Sequence, residues 1–372
     1  MNAFLPESLQ SLISLLMVEG VGDKIAKNLI SYCGSPEAVF KEKRSLLQKI
    51  PEVGSVTAHA IRKFRDFDRA IKEFEFVRKH DIRMLCIYND DYPNRLRHCP
   101  DSPLLLYYKG VADFNVPRMV AIVGTRNATD YGREHATSLA AGLAEMGATI
   151  VSGLAYGIDI TAHRSALMFG TPTIGVLAHG LDRLYPFDHR STASKMLEQG
   201  GLITEQMSMS KPDRENFPKR NRIIAGMCDA VIVVEAATKG GALITADIAN
   251  SYNRDVFAVP GRTGDPFSEG CNQLIKTHRA AMITKPADIS YIMRWDDAGT
   301  RKKNIQRQLF VELNEDETTV KNILEVQGKT GVDLLSAASK LSPSKVAGAL
   351  LGLEIKGVVK SLPGKLYELA GL

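Results

Sequence analysis

Phe217-Pro218-Lys219-Arg220-Asn221-Arg222-Ile223-Ile224-Ala225-Gly226, followed by Asp229-Ala230-Val231-Ile232-Val233-Val234-Glu235, reads as a helix with three cations and an Asn at its start, leading into a short apolar strand. An apolar run without alternation marks a parallel strand buried on both faces. Outward from this pair the unit repeats. Further strands are expected at Met119–Val123, Thr149–Val151, Thr173–Leu177, Leu202–Thr204, Val256–Val259 and Ala281–Ile283. Helical patterns lie between them at Tyr131–Met146, Ile158–Phe169, His189–Gln199 and Gly241–Tyr252. The alternation predicts an α/β fold with an extended Rossmann-like, doubly wound, mainly parallel sheet. Ligands in such sheets bind where strands end in loops.

Those loops carry glycines and cations. Gly124-Thr125-Arg126 follows the Met119–Val123 strand, with Thr129 or Asp130 placed to cap the next helix. Free N–H groups at a helix start attract an anion, and an arginine can fork onto a phosphate. A dinucleotide fingerprint is absent, because Arg126 stands where a second glycine is required, so no nicotinamide or flavin cofactor is expected. Ser152-Gly153-Leu154-Ala155-Tyr156-Gly157-Ile158-Asp159 follows the next strand, and Gly153 permits close backbone approach. Asp159 and His163 share a helix face, either as an acid–base pair or as a capping residue beside a buried His. Lys239-Gly240-Gly241 again runs from loop into helix, and the loop Pro260–Asn272 could border the same site. Together the loops suggest a phosphate track rather than one small-molecule pocket.

The net charge of +5 is mild, about +3 in residues 1–110, about +3 in 298–372 and about −1 between. Any nucleic-acid role must therefore rest on local placement of cations. The five cysteines form no C-x-x-C pair, so neither a zinc site nor a disulfide framework is indicated. Gly328-Lys329-Thr330 mimics the end of a Walker loop, but Ile323 occupies the position that needs glycine. No nucleophile elbow is present. With no long apolar span and no signal-peptide pattern, a soluble cytoplasmic protein without membrane partners is expected.

Four segments are expected: a helical domain at 1–66, the sheet domain at 67–295, a linker at 296–317 and a winged-helix-like unit at 318–372. Within the first, Met17–Lys27 and Lys49–Ala58 repeat an apolar residue, a glycine turn and a helix, as in helix-hairpin-helix motifs. Glu52 replaces the first glycine of the second unit. Residues 67–110 are a transition with a charged helix at Arg65–Lys79 and a strand at Leu104–Tyr108. The last unit has helices at Val332–Leu341 and Pro343–Glu354, the second capped by Ser342. A hairpin follows around Pro363-Gly364.

At these residues the chain closely resembles the DNA-processing protein A family, also called DprA or Smf. The resemblance rests on Val123–Arg126, Ser152–Ala155 with Gly157–Asp159, Gly180-Leu181-Asp182 with Tyr185-Pro186, and Phe217-Pro218 with Arg220–Gly226. It extends to Gly241–Ala246 and to Val256–Gly261 with Ser268, Gly270 and Asn272. It implies a non-enzymatic, dimeric protein that binds single-stranded DNA and loads the RecA recombinase during natural transformation. Carried onto this chain, Arg126 and the Lys219–Arg222 cluster become DNA contacts, with Phe217 a base-stacking neighbour. Tyr156 stands where the family commonly has Arg, which either removes a phosphate contact or supplies a stacking face. Ala178-His179 replaces the usual Gly-Cys.

A single strand is thus expected along the C-terminal edge of the sheet. Its phosphates would meet the Gly124 and Gly240 loops and the side chains of Arg126, Lys219, Arg220 and Arg222. Asn221 either contacts the strand or tethers a loop. The competing role for some of the arginines is to pair with Glu235 or Asp229 in the core. The alternative function is a nucleotide-binding, phosphoribohydrolase-like enzyme. That chemistry needs a carboxylate about where Ala246 stands, with Asp247 beside it.

Overall fold

The structure is a computed structural model that describes residues 6–295, 313–356, 358–362 and 366–369. The chain divides into two compact units, Met1–Met293 and Arg294–Leu372.

The first unit is built on a nine-stranded sheet. Its strands are β1 (Arg83–Cys86), β2 (Leu105–Gly110), β3 (Met119–Val123), β4 (Thr149–Ser152), β5 (Thr173–Val176), β6 (Gly201–Thr204), β7 (Ala230–Val233), β8 (Asp255–Ala258) and β9 (Ala281–Met282). The spatial order is β1-β2-β6-β5-β4-β3-β7-β8-β9. Strands β3 to β9 pair in parallel, while β1 with β2 and β2 with β6 are antiparallel. Strands β3 to β7 are buried at every residue, because helices cover both faces. All seven strands expected beyond residue 117 are present, to within a residue at their ends. The edge strand β1 has too little apolar patterning to stand out in the sequence.

From β3 the chain winds outward through β4, β5 and β6, then crosses back to lay β7 on the other side of β3. That reversal opens a crevice beyond the carboxyl ends of β3 and β7. The register Val123↔Val233 sets the loops that leave these strands side by side. Thr125 N–H donates to Glu235 O at 2.7 Å across the gap.

The N-terminal helices pack on the antiparallel side of the unit. Leu12, Leu29, Val39 and Ile61 share one hydrophobic core with Leu85, Tyr92 and Leu96. Polar ties reinforce the seam. Lys27 Nζ donates to Ser102 O and Oγ at 2.7 and 2.8 Å, and Leu104 N–H donates to Asp23 Oδ1 at 2.8 Å. Glu73, almost fully buried, accepts from Ser208 N–H at 2.8 Å and from Arg69 at 2.8 Å.

The second unit has helices Glu315–Gln327, Val332–Ser339 and Pro343–Ile355. A three-stranded antiparallel sheet joins them, in the order β10 (Thr330–Gly331), β12 (Leu366–Leu369), β11 (Val359–Leu362). This is a winged-helix arrangement around Val320, Leu324, Leu335, Val346 and Leu353. Ser342 caps the third helix as expected, accepting from Lys345 N–H. The acidic triplet Glu315–Glu317 differs from its linker reading. It forms the first turn of a helix, because Asn314 and Glu317 cap each other's backbone there. Gly357 and the Pro363-Gly364 turn lie outside the described residues.

Candidate nucleic-acid interface

The crevice between β3 and β7 holds a pocket of about 370 Å³. Its walls are the Gly124–Asn127 loop, the start of the helix Asn216–Met227, and the Ala236–Ala242 segment that leads into the helix Gly241–Ser251. Two glycines are needed to build it. A Cβ on Gly124 would lie 2.5 Å from Ile158 Cγ1. One on Gly157, at φ +75°, would lie 2.2 Å from Thr125 O. Beneath the first loop, buried Glu235 accepts from Thr129 N–H at 3.0 Å and Thr129 Oγ at 2.5 Å. Glu235 therefore braces the loop from below and pairs with no arginine among the described residues. Asp229 pairs instead with Arg95 at 2.6 Å, so among the described residues the competing role, pairing with Glu235 or Asp229, is not the one taken by Arg126, Arg220 or Arg222.

The four cations of the sequence reading have different surroundings. Arg126 is exposed at the pocket mouth, its guanidinium 5.2 Å from the centre of the Phe217 ring. Arg220 is buried in the pocket floor. It donates to Val176 O and lies against Gly153, where a Cβ would come within 2.2 Å of Nη1. Burial pulls the Arg220 guanidinium down to about 10, opposed by the Asp159 carboxylate and assisted by Arg126. Arg220 Nε–H has no partner among the described residues. Lys219 is exposed but lies outside the pocket lining.

Arg222 points elsewhere. It donates to Asp101 O at 2.7 Å and Asp23 Oδ2 at 3.3 Å, and pairs with Glu205. It thus joins the N-terminal helices to the sheet rather than facing the pocket.

The third loop is set by Asn221, whose Nδ2 donates to Gly241 O at 3.2 Å. Of its two expected roles, the geometry gives it loop tethering. The helix Gly241–Ser251 begins after Gly240 with no side-chain cap and no acidic residue in its first turn, leaving backbone N–H groups at the pocket edge. Lys239 is exposed on the same rim. Gly124, Thr125, Arg126, Phe217, Arg220, Asn221, Lys239, Gly240 and Gly241 therefore converge. Gly153 lines a small annex that it shares with Arg126, Tyr156, Tyr185 and Phe217.

Other sequence expectations resolve by partner. Asp159 accepts from Gly153 N–H at 3.1 Å and faces Arg220, with burial pushing its carboxyl up. His163 bonds Thr173 Oγ1 at 2.7 Å, so the two engage different groups. The Pro260–Asn272 loop is clamped by Asn272, which exchanges hydrogen bonds of 3.1 and 3.0 Å with Gly261, and lends only Phe267 to the pocket. Ala246 is buried and Asp247 pairs with Arg279 outside the pocket, so neither supplies a carboxylate to it. His179 Nε2 accepts from Tyr185 N–H at 3.2 Å and its Nδ1 meets Gly180 O at 2.9 Å, which fixes the loop carrying Tyr185. The sequence reading gave neither residue a role. In the N-terminal hairpins Lys24 pairs with Glu52 at 2.5 Å, with Glu52 held at φ +68° in the glycine position. In the winged helix, Lys345 and Lys356 meet Asp316 at 3.8 Å and Glu317 at 2.6 Å.

No group of three or more His, Cys, Asp or Glu placed to hold a metal occurs among the described residues. No described helix is long and apolar enough to cross a membrane.

Comparison with known proteins follows the same division. Residues 83–294 match a family model described as DNA recombination-mediator protein A. Residues 311–365 match a DprA winged helix domain, and residues 12–64 a SAM-like helix-hairpin-helix tandem. Protein Smf of Synechocystis sp. is 34% identical, covering 94% of this chain and 96% of its own. A putative DNA processing protein DprA of Mycobacterium tuberculosis is 35% identical, covering 91% and 88%. The crystal structure of DNA processing protein A from Streptococcus pneumoniae superposes with a TM-score of 0.66 at 32% identity, covering 78% of this chain and 98% of that one. DNA processing protein A from Helicobacter pylori, described for a unique single-stranded DNA binding mode, gives 0.53 at 30% identity, covering 58% and 96%.

Proposed function

The chain belongs to the DNA recombination-mediator protein A family, and from that premise we propose that it binds single-stranded DNA and loads RecA recombinase onto it during DNA uptake and natural transformation. In this reading it acts in the cytoplasm, as a homodimer, without catalysing a reaction. One observation carries the DNA-binding part. A pocket at the strand-order reversal combines a buried arginine whose Nε–H has no partner among the described residues, an exposed arginine over an aromatic ring, and an uncapped helix start. Those are donors for phosphate and a surface for a base. The contacts are to backbone and ring faces, so little sequence preference follows.

The test is fluorescence anisotropy of labelled oligo-dT and a matched duplex at several salt concentrations, with wild type and Arg126→Ala. Tight, salt-sensitive binding to the single strand is expected, with a slope lowered by roughly 0.7 in the variant. Wild type that fails to bind the single strand overturns the reading. An unchanged slope takes Arg126 out of the contact. RecA loading is then read by whether the protein relieves inhibition of RecA filament growth on a strand coated with single-strand-binding protein.

A further inference from the structure

Beyond the pocket mouth runs a strip of aromatic rings that the motifs left without a role. Phe217, under Arg126, is followed by Tyr185 at a centroid distance of 6.2 Å. Tyr185 and Tyr156 close the annex beside Arg126. Tyr156 packs edge-on against buried His189 at 4.9 Å and donates its hydroxyl to Asp188 at 2.7 Å. Phe187 comes two residues after Tyr185 and immediately before the Asp188 that Tyr156 bonds, with the Arg190 guanidinium 5.7 Å from its ring centre. These rings are open to solvent: Tyr156 is 43% exposed, Tyr185 45% and Phe187 68%.

Grouped exposed aromatics mark a contact surface rather than the scatter expected of an ordinary protein exterior. Two features select the occupant. The strip is continuous with the phosphate pocket through Arg126 and Phe217, and a guanidinium stands over the ring at each end. Alternating ring faces and cations suit a polymer of flat bases joined by anions. Asp188 is the opposing charge, and its carboxylate is engaged by Tyr156.

We infer that the strip Phe217–Tyr185–Phe187, with Arg126 and Arg190, is a second subsite that stacks successive bases of the same single strand whose phosphates enter the pocket. This rests on the crevice being a single-strand site. The pocket holds the strand by its backbone, and the strip extends the footprint and fixes the direction in which the strand leaves.

The experiment measures affinity for oligo-dT of increasing length, and for a long oligonucleotide with abasic outer positions, using wild type, Phe187→Ala and Arg190→Ala. Phe187→Ala should bind short strands like wild type and lose about 5-fold or more on long ones. Its salt slope should stay unchanged, whereas Arg190→Ala should lower the slope by roughly 0.7. The abasic oligonucleotide should bind wild type as weakly as the full one binds Phe187→Ala, with no further loss when both changes are combined. Equal loss at all lengths, or none at any, overturns the subsite while leaving the pocket reading in place. So does a drop in oligomer mass with unchanged DNA binding, which would make the strip a protein contact. Wild type that binds no oligonucleotide removes both.

Discussion

The guanidinium of Arg220 lies so close over Gly153 that a Cβ there would stand 2.2 Å from Nη1 and 2.6 Å from Cζ. A glycine after one strand thus makes room for the buried cation supplied by a helix some seventy residues later. Gly153→Ala should displace Arg220 from Val176 O and Asp159. The expected cost is about 1–3 kcal/mol in thermal or urea unfolding, together with weaker binding of single strands of any sequence. Full stability and affinity in the variant would mean that Arg220 has a second resting place.

Arg222 and Lys219 separate structural from ligand-facing charge. Arg222→Ala removes the partner of partly buried Glu205 and the tie to Asp23. Unfolding should be easier by about 1–3 kcal/mol for this partly buried cluster, and protein that remains folded should keep its salt slope. Lys219 is exposed, so Lys219→Ala should change stability by less than about 0.5 kcal/mol. Its salt slope should fall by roughly 0.7. Reversed outcomes for the two residues would invert this assignment.

Glu235 holds the first phosphate loop through Thr129. Glu235→Ala removes the charged acceptor of both Thr129 donors, which are exposed and can turn to water, a loss of about 1–2 kcal/mol. Amide exchange over Thr125–Gly132 should quicken well beyond the rest of the sheet. Unaltered protection there would show that Glu235 does not brace the loop.

Acid sensitivity has an identifiable contributor in His163. Its Nδ1 meets Thr173 Oγ1, and that hydroxyl donates onward to Ile150 O at 3.0 Å. The ring therefore carries its proton on Nδ1 and leaves buried Nε2 without a partner among the described residues. Burial, helped by His189 and Arg220, pulls the imidazole down to about 3. The unfolded chain binds this proton near pH 6.5 and the folded chain only near pH 3. Stability should thus fall on acidification between those limits, by up to about 1.4 kcal/mol per pH unit. In urea titrations across that range, His163→Leu should flatten the pH dependence by about one proton. An identical slope in the variant would assign the proton uptake to other groups.

Much of the fold was legible in the sequence because its causes are local. Ala230–Val233 and Met119–Val123 are short, wholly apolar runs, which fit only strands covered on both faces. Gly124 after the second announces a turn, and Ser342 announces a helix start. β2 was legible as the strand at Leu104–Tyr108, but β1 and the antiparallel pairing were not. That pairing connects distant segments, such as Tyr107 with Thr204.

The site divides along the same line. Its glycine loops and the cation-rich helix start could be read residue by residue. Which arginine does what could not, since Arg220 and Arg222 differ by about 200° around a helix of 3.6 residues per turn. Packing decides which of those two faces meets the pocket. The helix lies with Arg220 over Gly153 and Arg222 against Asp23 and Glu205. The same cation pattern thereby yields one pocket residue and one structural tie. Only the assembled structure shows Phe217 beside Tyr185, because their rings meet across a loop and a helix start that no sequence spacing connects.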